Sequence, residues 1–279
     1  MRTVDSALVR DTVKRLCIEA NCILPCDVRE KLEEARSSER WDSARRILDR
    51  LVENYQIAEA TTSPMCQDTG VACVFVELGQ EVHIAGNLTE AINEGVRLGY
   101  NEGYLRKSVV GDPLRRENTR DNTPAMIYYD VVEGDGLRIT VAPKGFGSEN
   151  MSRIAMLKPS DGIEGVMDFV VDAVNKAGPN PCPPVIVGVG IGGTFDKCAL
   201  LAKRALLRDA NTRHCDPFYA DMERRLLERI NALGIGPQGF GGRTTALAVN
   251  IETMATHIAG LPVAVNLNCH VTRHMSAEL

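Results

Sequence analysis

The stretch Gly178-Pro179-Asn180-Pro181-Cys182-Pro183-Pro184 constrains this chain more than any other, because closely spaced prolines fix φ and remove backbone donors. Neither a helix nor a paired central strand runs through such a segment. The apolar pattern before it, from Gly162 to Ala177, therefore closes as a helix, and Val185 to Val189 after it opens as a buried strand. Cys182 is pinned in the stiff connection between the two.

The rest of the chain divides on similar signals. Val9, Val13, Leu16, Cys17 and Ala20 fall at helical spacing, predicting an amphipathic helix from Asp5 to about Ala20 that Pro25 ends. A short charged helix from Asp27 through Ala35 and a third from Trp41 to Ala58 follow, so residues 1–60 read as an N-terminal helical cap. Val71 to Val76 reads as a buried strand, and Asn87 caps a helix running to Tyr104. Ala125–Val132 and Leu137–Val141 are rich in β-formers and flank Glu133-Gly134-Asp135-Gly136, a hairpin signal. Gly190-Ile191-Gly192-Gly193 reads as a turn, followed by helices Phe195–Arg208 and Phe218–Leu233. Strands near Thr245–Ile251 and Val263–Leu267 have His257 between them and Cys269 just after. The expected fold class is α+β, with mixed and antiparallel sheets flanked by helices in a single domain, 1–279.

A formal charge of -5 and a pI near 5.6 leave no electrostatic footprint for nucleic acid. No apolar run is long enough to span a membrane, and the start, Met1-Arg2-Thr3-Val4-Asp5, lacks the apolar core of a signal peptide. The expected address is the cytoplasm, where nine cysteines, an odd number, stay reduced and available to metal.

Pro64-Met65-Cys66-Gln67-Asp68-Thr69-Gly70 sets a thiol, an amide and a carboxylate side by side on a loop entering a sheet. Cys66, Cys182 and Cys269 share one context: each lies beside Pro, Asn or Gly at a strand end or its entry loop, with polar neighbours. Their spacings are too long for a local zinc or ferredoxin motif. Cys17, Cys22 and Cys26 fall on a helix and its end and read as buried thiols rather than a second cluster. The glycines of Lys144-Gly145-Phe146-Gly147-Ser148-Glu149-Asn150 permit close approach of backbone N–H groups to an anion, although a plain surface turn looks the same. Arg106 at a helix end also suits a reply to the helix dipole, His257 a core histidine bonded to a carbonyl, and Asp68 an Asx turn. Gly188-x-Gly190-x-x-Gly193 has dinucleotide-binding spacing, but the acid expected at the next strand end is missing; Asp209 ends the helix instead.

In order along the chain, Met65-Cys66-Gln67-Asp68-Thr69-Gly70, Asn118-Thr119-Arg120-Asp121-Asn122-Thr123-Pro124-Ala125, Ala142-Pro143-Lys144-Gly145-Phe146-Gly147-Ser148-Glu149-Asn150, Pro183-Pro184-Val185 with Ile191-Gly192-Gly193, and Asn268-Cys269 closely resemble the class I, iron-sulphur fumarate hydratases and the related tartrate dehydratases. The likeness is to the α subunit, or to the N-terminal half of single-chain versions. It implies that Cys66, Cys182 and Cys269 hold a 4Fe-4S cluster with one iron open, and that Gln67, Asp68, Arg106, Gly147 and His257 line the substrate pocket, Asp68 and His257 as catalytic groups. The implied reaction is (S)-malate to fumarate and water, with L-tartrate or mesaconate as alternative substrates. A β subunit carrying the catalytic base is implied, in an (αβ)2 assembly that leaves room for an α–α dimer. The rival of another class is a non-catalytic cluster scaffold, which has no use for Arg106 and His257.

Overall fold

The computed structural model describes residues 2–279. The chain forms two compact units: Pro25 and the residues before it, Tyr55–Gly145 and Arg273–Leu279 make the first, Cys26–Asn54 and Phe146–Thr272 the second. Among the described residues no helix is long and apolar enough to cross a membrane.

In the first unit, β1 (Arg2–Asp5) pairs in parallel with β3 (Val82–Ala85). A four-stranded sheet has the order β10 (Met275–Glu278), β5 (Leu137–Lys144), β2 (Val71–Gly79), β4 (Met126–Val132). Two helices, α1 (Ser6–Cys22) and α4 (Leu88–Glu102), share its core, in which Val9, Val13, Leu16, Val96 and Tyr100 join Val74, Val76 and Ile139. Asp5 caps α1 by accepting from the Ala7 N–H, and Asn87 caps α4 by accepting from the Glu90 N–H, so polar residues at both predicted helix starts supply caps. The helices approach closely because α4 presents Gly95, where a Cβ would stand 2.6 Å from the Arg10 carbonyl oxygen.

The expected hairpin of β4 and β5 does not form: β2 lies between them, parallel to β4 and antiparallel to β5. The reason is competition for the same backbone groups. The last residue of β2 donates Gly79 N–H to Gly136, and the turn after it donates Gln80 N–H to Val132 and Glu81 N–H to Gly134, so the Gly134–Gly136 turn clasps the end of β2.

The second unit is built on the sheet β6 (Arg153–Leu157), β9 (Leu261–Asn268), β7 (Val185–Gly193), β8 (Ala246–Thr256). Alternation along β7 sends Val185, Val187, Val189 and Ile191 into a core with α6 (Gly162–Ala177) and α8 (Pro217–Asn231). The other face carries Gly188 and Gly190, where a Cβ would stand 2.2 Å from the carbonyl oxygens of Ala202 and Cys198 respectively, on α7 (Phe195–Ala205). The expected turn at Gly190–Gly193 is therefore strand; Gly190 and Gly193 face α7 and Gly192 meets the Met254 backbone, so these glycines serve close packing rather than a phosphate-binding loop. Of the expected cap, α1 belongs to the first unit, while α2 (Cys26–Ser38) and the start of α3 (Asp42–Thr61) belong to the second. The short helix α5 (Phe146–Glu149) occupies the predicted glycine loop, with Glu149 held by Lys203 at 2.6 Å and Asn266 at 2.7 Å.

Candidate active site

Cys66 is half-buried on the loop between α3 and β2, in the first unit. Residues 68–70, the remainder of this loop, are tied down by side chains from distant parts of the chain. The Tyr100 hydroxyl, fully buried on α4, donates toward the carbonyls of Thr69 at 2.8 Å and Gly70 at 3.0 Å. Asn122, also fully buried, donates to the Gly70 carbonyl at 3.2 Å and accepts from the N–H groups of Ser108 at 2.7 Å and Val109 at 3.2 Å. Its φ of 65° lies in the left-handed region that asparagine tolerates better than most residues.

These bonds bring the Arg106 segment to the Cys66 loop. Thr69 Oγ1 accepts from the Arg106 N–H at 2.9 Å and donates to the Arg106 carbonyl at 3.1 Å. Arg106 lies beyond the end of α4 with its backbone engaged by Thr69, so its placement is set by the loop and not by a helix dipole. Asp68 does form an Asx turn, Oδ1 accepting from the Gly70 N–H at 3.0 Å. Its Oδ2 points toward Gly145, where a Cβ would stand 3.3 Å away. Gln67 is exposed beside it. The first unit thus gathers Gln67, Asp68 and Arg106 around one loop.

In the second unit Cys182 is exposed, with φ 55°, and Cys269 is half-buried just after β9. His270, the next residue, donates its N–H to the Cys182 carbonyl at 3.3 Å, and its Nδ1 lies 3.1 Å from the same oxygen. The same Nδ1 lies 3.2 Å from Gln238 Nε2. Gln238 completes the arrangement: its N–H and its Nε2 both donate to the Pro183 carbonyl, at 2.7 and 2.8 Å. The two cysteine-bearing segments of this unit are therefore neighbours. His257 is exposed in the turn between β8 and β9, its Nδ1 accepting from the Ala259 N–H at 3.2 Å, so it is not a core histidine. Gly147 sits in α5 with Asn180 O 3.6 Å from its would-be Cβ, an ordinary contact, so packing does not require glycine there.

Burial divides the cysteines. Cys17, Cys22, Cys73 and Cys198 are buried; Cys26, expected to be buried, is exposed at the start of α2, and Cys215 is exposed as well, and among the described residues none of the nine forms a disulfide. Burial pushes the thiols of Cys17 and Cys198 up to about 12, which keeps them protonated and unsuited to ligation. Cys66, Cys182 and Cys269 lie outside the core on strand-end loops, and as a donor set, three accessible thiols, they fit an iron-sulphur cluster chemically. Among the described residues no three His, Cys, Asp or Glu side chains already form a group that could hold a metal ion. Sequence reading missed Tyr100, Asn122, Thr69 and Arg273 as supports; the one local hint was Asn122 within a turn-rich Asp-Asn-Thr-Pro run.

Comparison with known proteins bears on the same segments. The family described as Fumarate hydratase (Fumerase) matches residues 10–278. A Methanocaldococcus jannaschii protein named "Putative L(+)-tartrate dehydratase subunit alpha" is 45% identical over 272 residues, covering 95% of each chain. The L(+)-tartrate dehydratase subunit alpha of Escherichia coli (strain K12) is 34% identical over 253 residues, 90% of this chain and 84% of that one. The protein of the same name from Shigella sonnei (strain Ss046) matches to the same extent, 34% over 253 residues. With one match spanning both the Cys66–Arg106 loops and the Cys182–Cys269 segments, the chain belongs to the fumarate hydratase (Fumerase) family of hydro-lyases.

Proposed function

We propose that this chain is the α subunit of an iron-sulphur hydro-lyase acting on a C4 dicarboxylate, with (S)-malate and fumarate as the favoured pair. The observation that carries the reading is the two-way bond between Thr69 and Arg106, which fixes a guanidinium-bearing segment beside Gln67 and Asp68. A guanidinium and an amide on one rigid loop suit a substrate carboxylate, which takes donors in fixed directions. Cys66, Cys182 and Cys269 would hold a 4Fe-4S cluster, which when bound supplies one Lewis-acidic iron open to a substrate carboxylate and hydroxyl. Arg106 and Gln67 bind and orient the diacid, and Gly147 leaves room for backbone N–H groups to approach its negative charge. Asp68 and His257 hold or move protons, since a carboxylate and an imidazole are groups able to accept and return them. A cluster scaffold without activity would not need this donor set.

A β subunit supplies the remaining carboxylate-binding groups and the base, in an (αβ)2 assembly in the cytoplasm. The relatives' names, all α subunits, support a partner chain of this kind. They also favour a second reading of the substrate, L(+)-tartrate, which differs from malate by one hydroxyl; a single hydroxyl is poorly rejected unless a site is built against it.

The test is an anaerobic assay of α and β chains together with malate, fumarate, mesaconate and L(+)-tartrate. Turnover of at least one diacid, lost on exposure to air and restored by iron and reductant, is expected. Activity indifferent to air would count against the scheme. Replacing Cys66, Cys182 or Cys269 by serine should bleach the brown chromophore, whereas Cys17→Ser and Cys215→Ser should keep it; colour surviving in the first set would overturn the ligand assignment.

A further inference from the structure

Arg273 follows Cys269 in the chain, just before β10, and only 4% of it is exposed. Its Nη2 donates to the Asp68 carbonyl at 2.6 Å, while its buried Nε has no hydrogen-bond partner. Among the described residues no carboxylate pairs with it, and its charge acts to lower the Cys22 thiol and the Tyr100 phenol against the larger upward push of burial. Burying a guanidinium without an acid is costly, and a neutral amide would serve a lone main-chain carbonyl with less desolvation. What the charge adds is a shorter, stiffer bond to the loop.

We propose that Arg273 is the positioning residue for Asp68. Its guanidinium clamps the Asp68 carbonyl from one side while the Asx turn to Gly70 fixes the carboxyl from the other, so the side chain keeps one orientation. This rests on the proton-handling role proposed for Asp68. Arg273 acts through Asp68 and touches no reacting atom itself.

The decisive experiment is a double-mutant cycle in the αβ complex with Arg273→Gln, Arg273→Lys and Asp68→Asn. Arg273→Gln should lower kcat about 10–100-fold with a much smaller change in KM, as a displaced catalytic group does, and Arg273→Lys should recover part of it. In the Asp68→Asn background Arg273→Gln should cost nothing further. An equal loss in both backgrounds would overturn the proposal, because damage not acting through Asp68 adds. A second readout needs no turnover: in the full α chain, Arg273→Gln should raise amide exchange at Gly70 about tenfold and leave Val74 in β2 unchanged. Unchanged exchange at Gly70, or a rise at both amides, sinks the clamp. If the wild-type complex turns over no diacid, the functional reading fails while the exchange result still decides the clamp.

Discussion

The Cys66 loop and the Cys182 segment are both rigid connections at strand ends, yet they are held by opposite means. The first is stapled from behind by side chains remote in sequence: Tyr100, Asn122 and Arg273 all reach main-chain carbonyls of residues 68–70. The second is stiffened by its own prolines and held by main-chain bonds, Cys182 N–H to Pro179, Gln238 N–H to Pro183 and His270 N–H to Cys182. A loop held by buried side chains fails when one is removed. A loop held by backbone tolerates side-chain loss and fails when the backbone beneath it is displaced.

The largest effect should come from Asn122→Ala. It strands the buried Val109 N–H and takes one partner each from the Ser108 N–H and the Gly70 carbonyl, which the Tyr100 hydroxyl still reaches; at ~1–3 kcal/mol for a buried group left unpaired and ~1 kcal/mol for each further bond lost, the loss should reach about 4 kcal/mol. Chemical denaturation checks this; a loss below about 1 kcal/mol would show that water replaces the staple. Next is Gly190→Ala, which sets a Cβ 2.2 Å from the Cys198 carbonyl and should cost about 3 kcal/mol by forcing α7 off the strand that carries the Cys182 segment. A folded variant of unchanged midpoint would mean that α7 yields readily, against the backbone account.

A pH test sharpens the contrast between buried and loop cysteines. Burial raises the folded-state thiols of Cys17 and Cys198 from 9.0 to about 12, so the stability they contribute is complete below pH 9 and is lost as pH rises toward 12. Each can add a slope of up to about 1.4 kcal/mol per pH unit in that window. Cys17→Ala should flatten the alkaline limb of a stability–pH curve; a limb as steep as that of the unsubstituted chain would refute the account from burial. The smallest effect is expected for Gln238→Gly. Glycine keeps the left-handed backbone at φ 53° and the main-chain bond to Pro183 while deleting the side-chain bond, so about 1 kcal/mol should be lost. A loss as large as that of Asn122→Ala would erase the distinction between the two loops.

Much of the fold is legible in the residues. Helical spacing of Val9, Val13 and Leu16 marks α1, and Asn87 marks the start of α4 because its short polar side chain accepts a free N–H of the first turn. The proline run marks the stiff approach to β7. Within the candidate site, Gln67, Asp68 and Arg106 are reached through family likeness, and the structure gathers them about one loop. The environment of His257, an exposed turn instead of a core, is not legible, since a single histidine between two strands carries no periodic signal.

By itself the sequence determined the α+β class, most helices and strands, and the stiff or turn-forming character of the cysteine loops, because each depends on neighbours within a turn or two of chain. Only the tertiary structure decided that β2 separates β4 from β5, that Gly188 and Gly190 serve α7, and that Tyr100, Asn122 and Arg273 hold the Cys66 loop. Those outcomes depend on which backbone groups and buried faces remain unsatisfied once distant segments pack, and no local pattern records that.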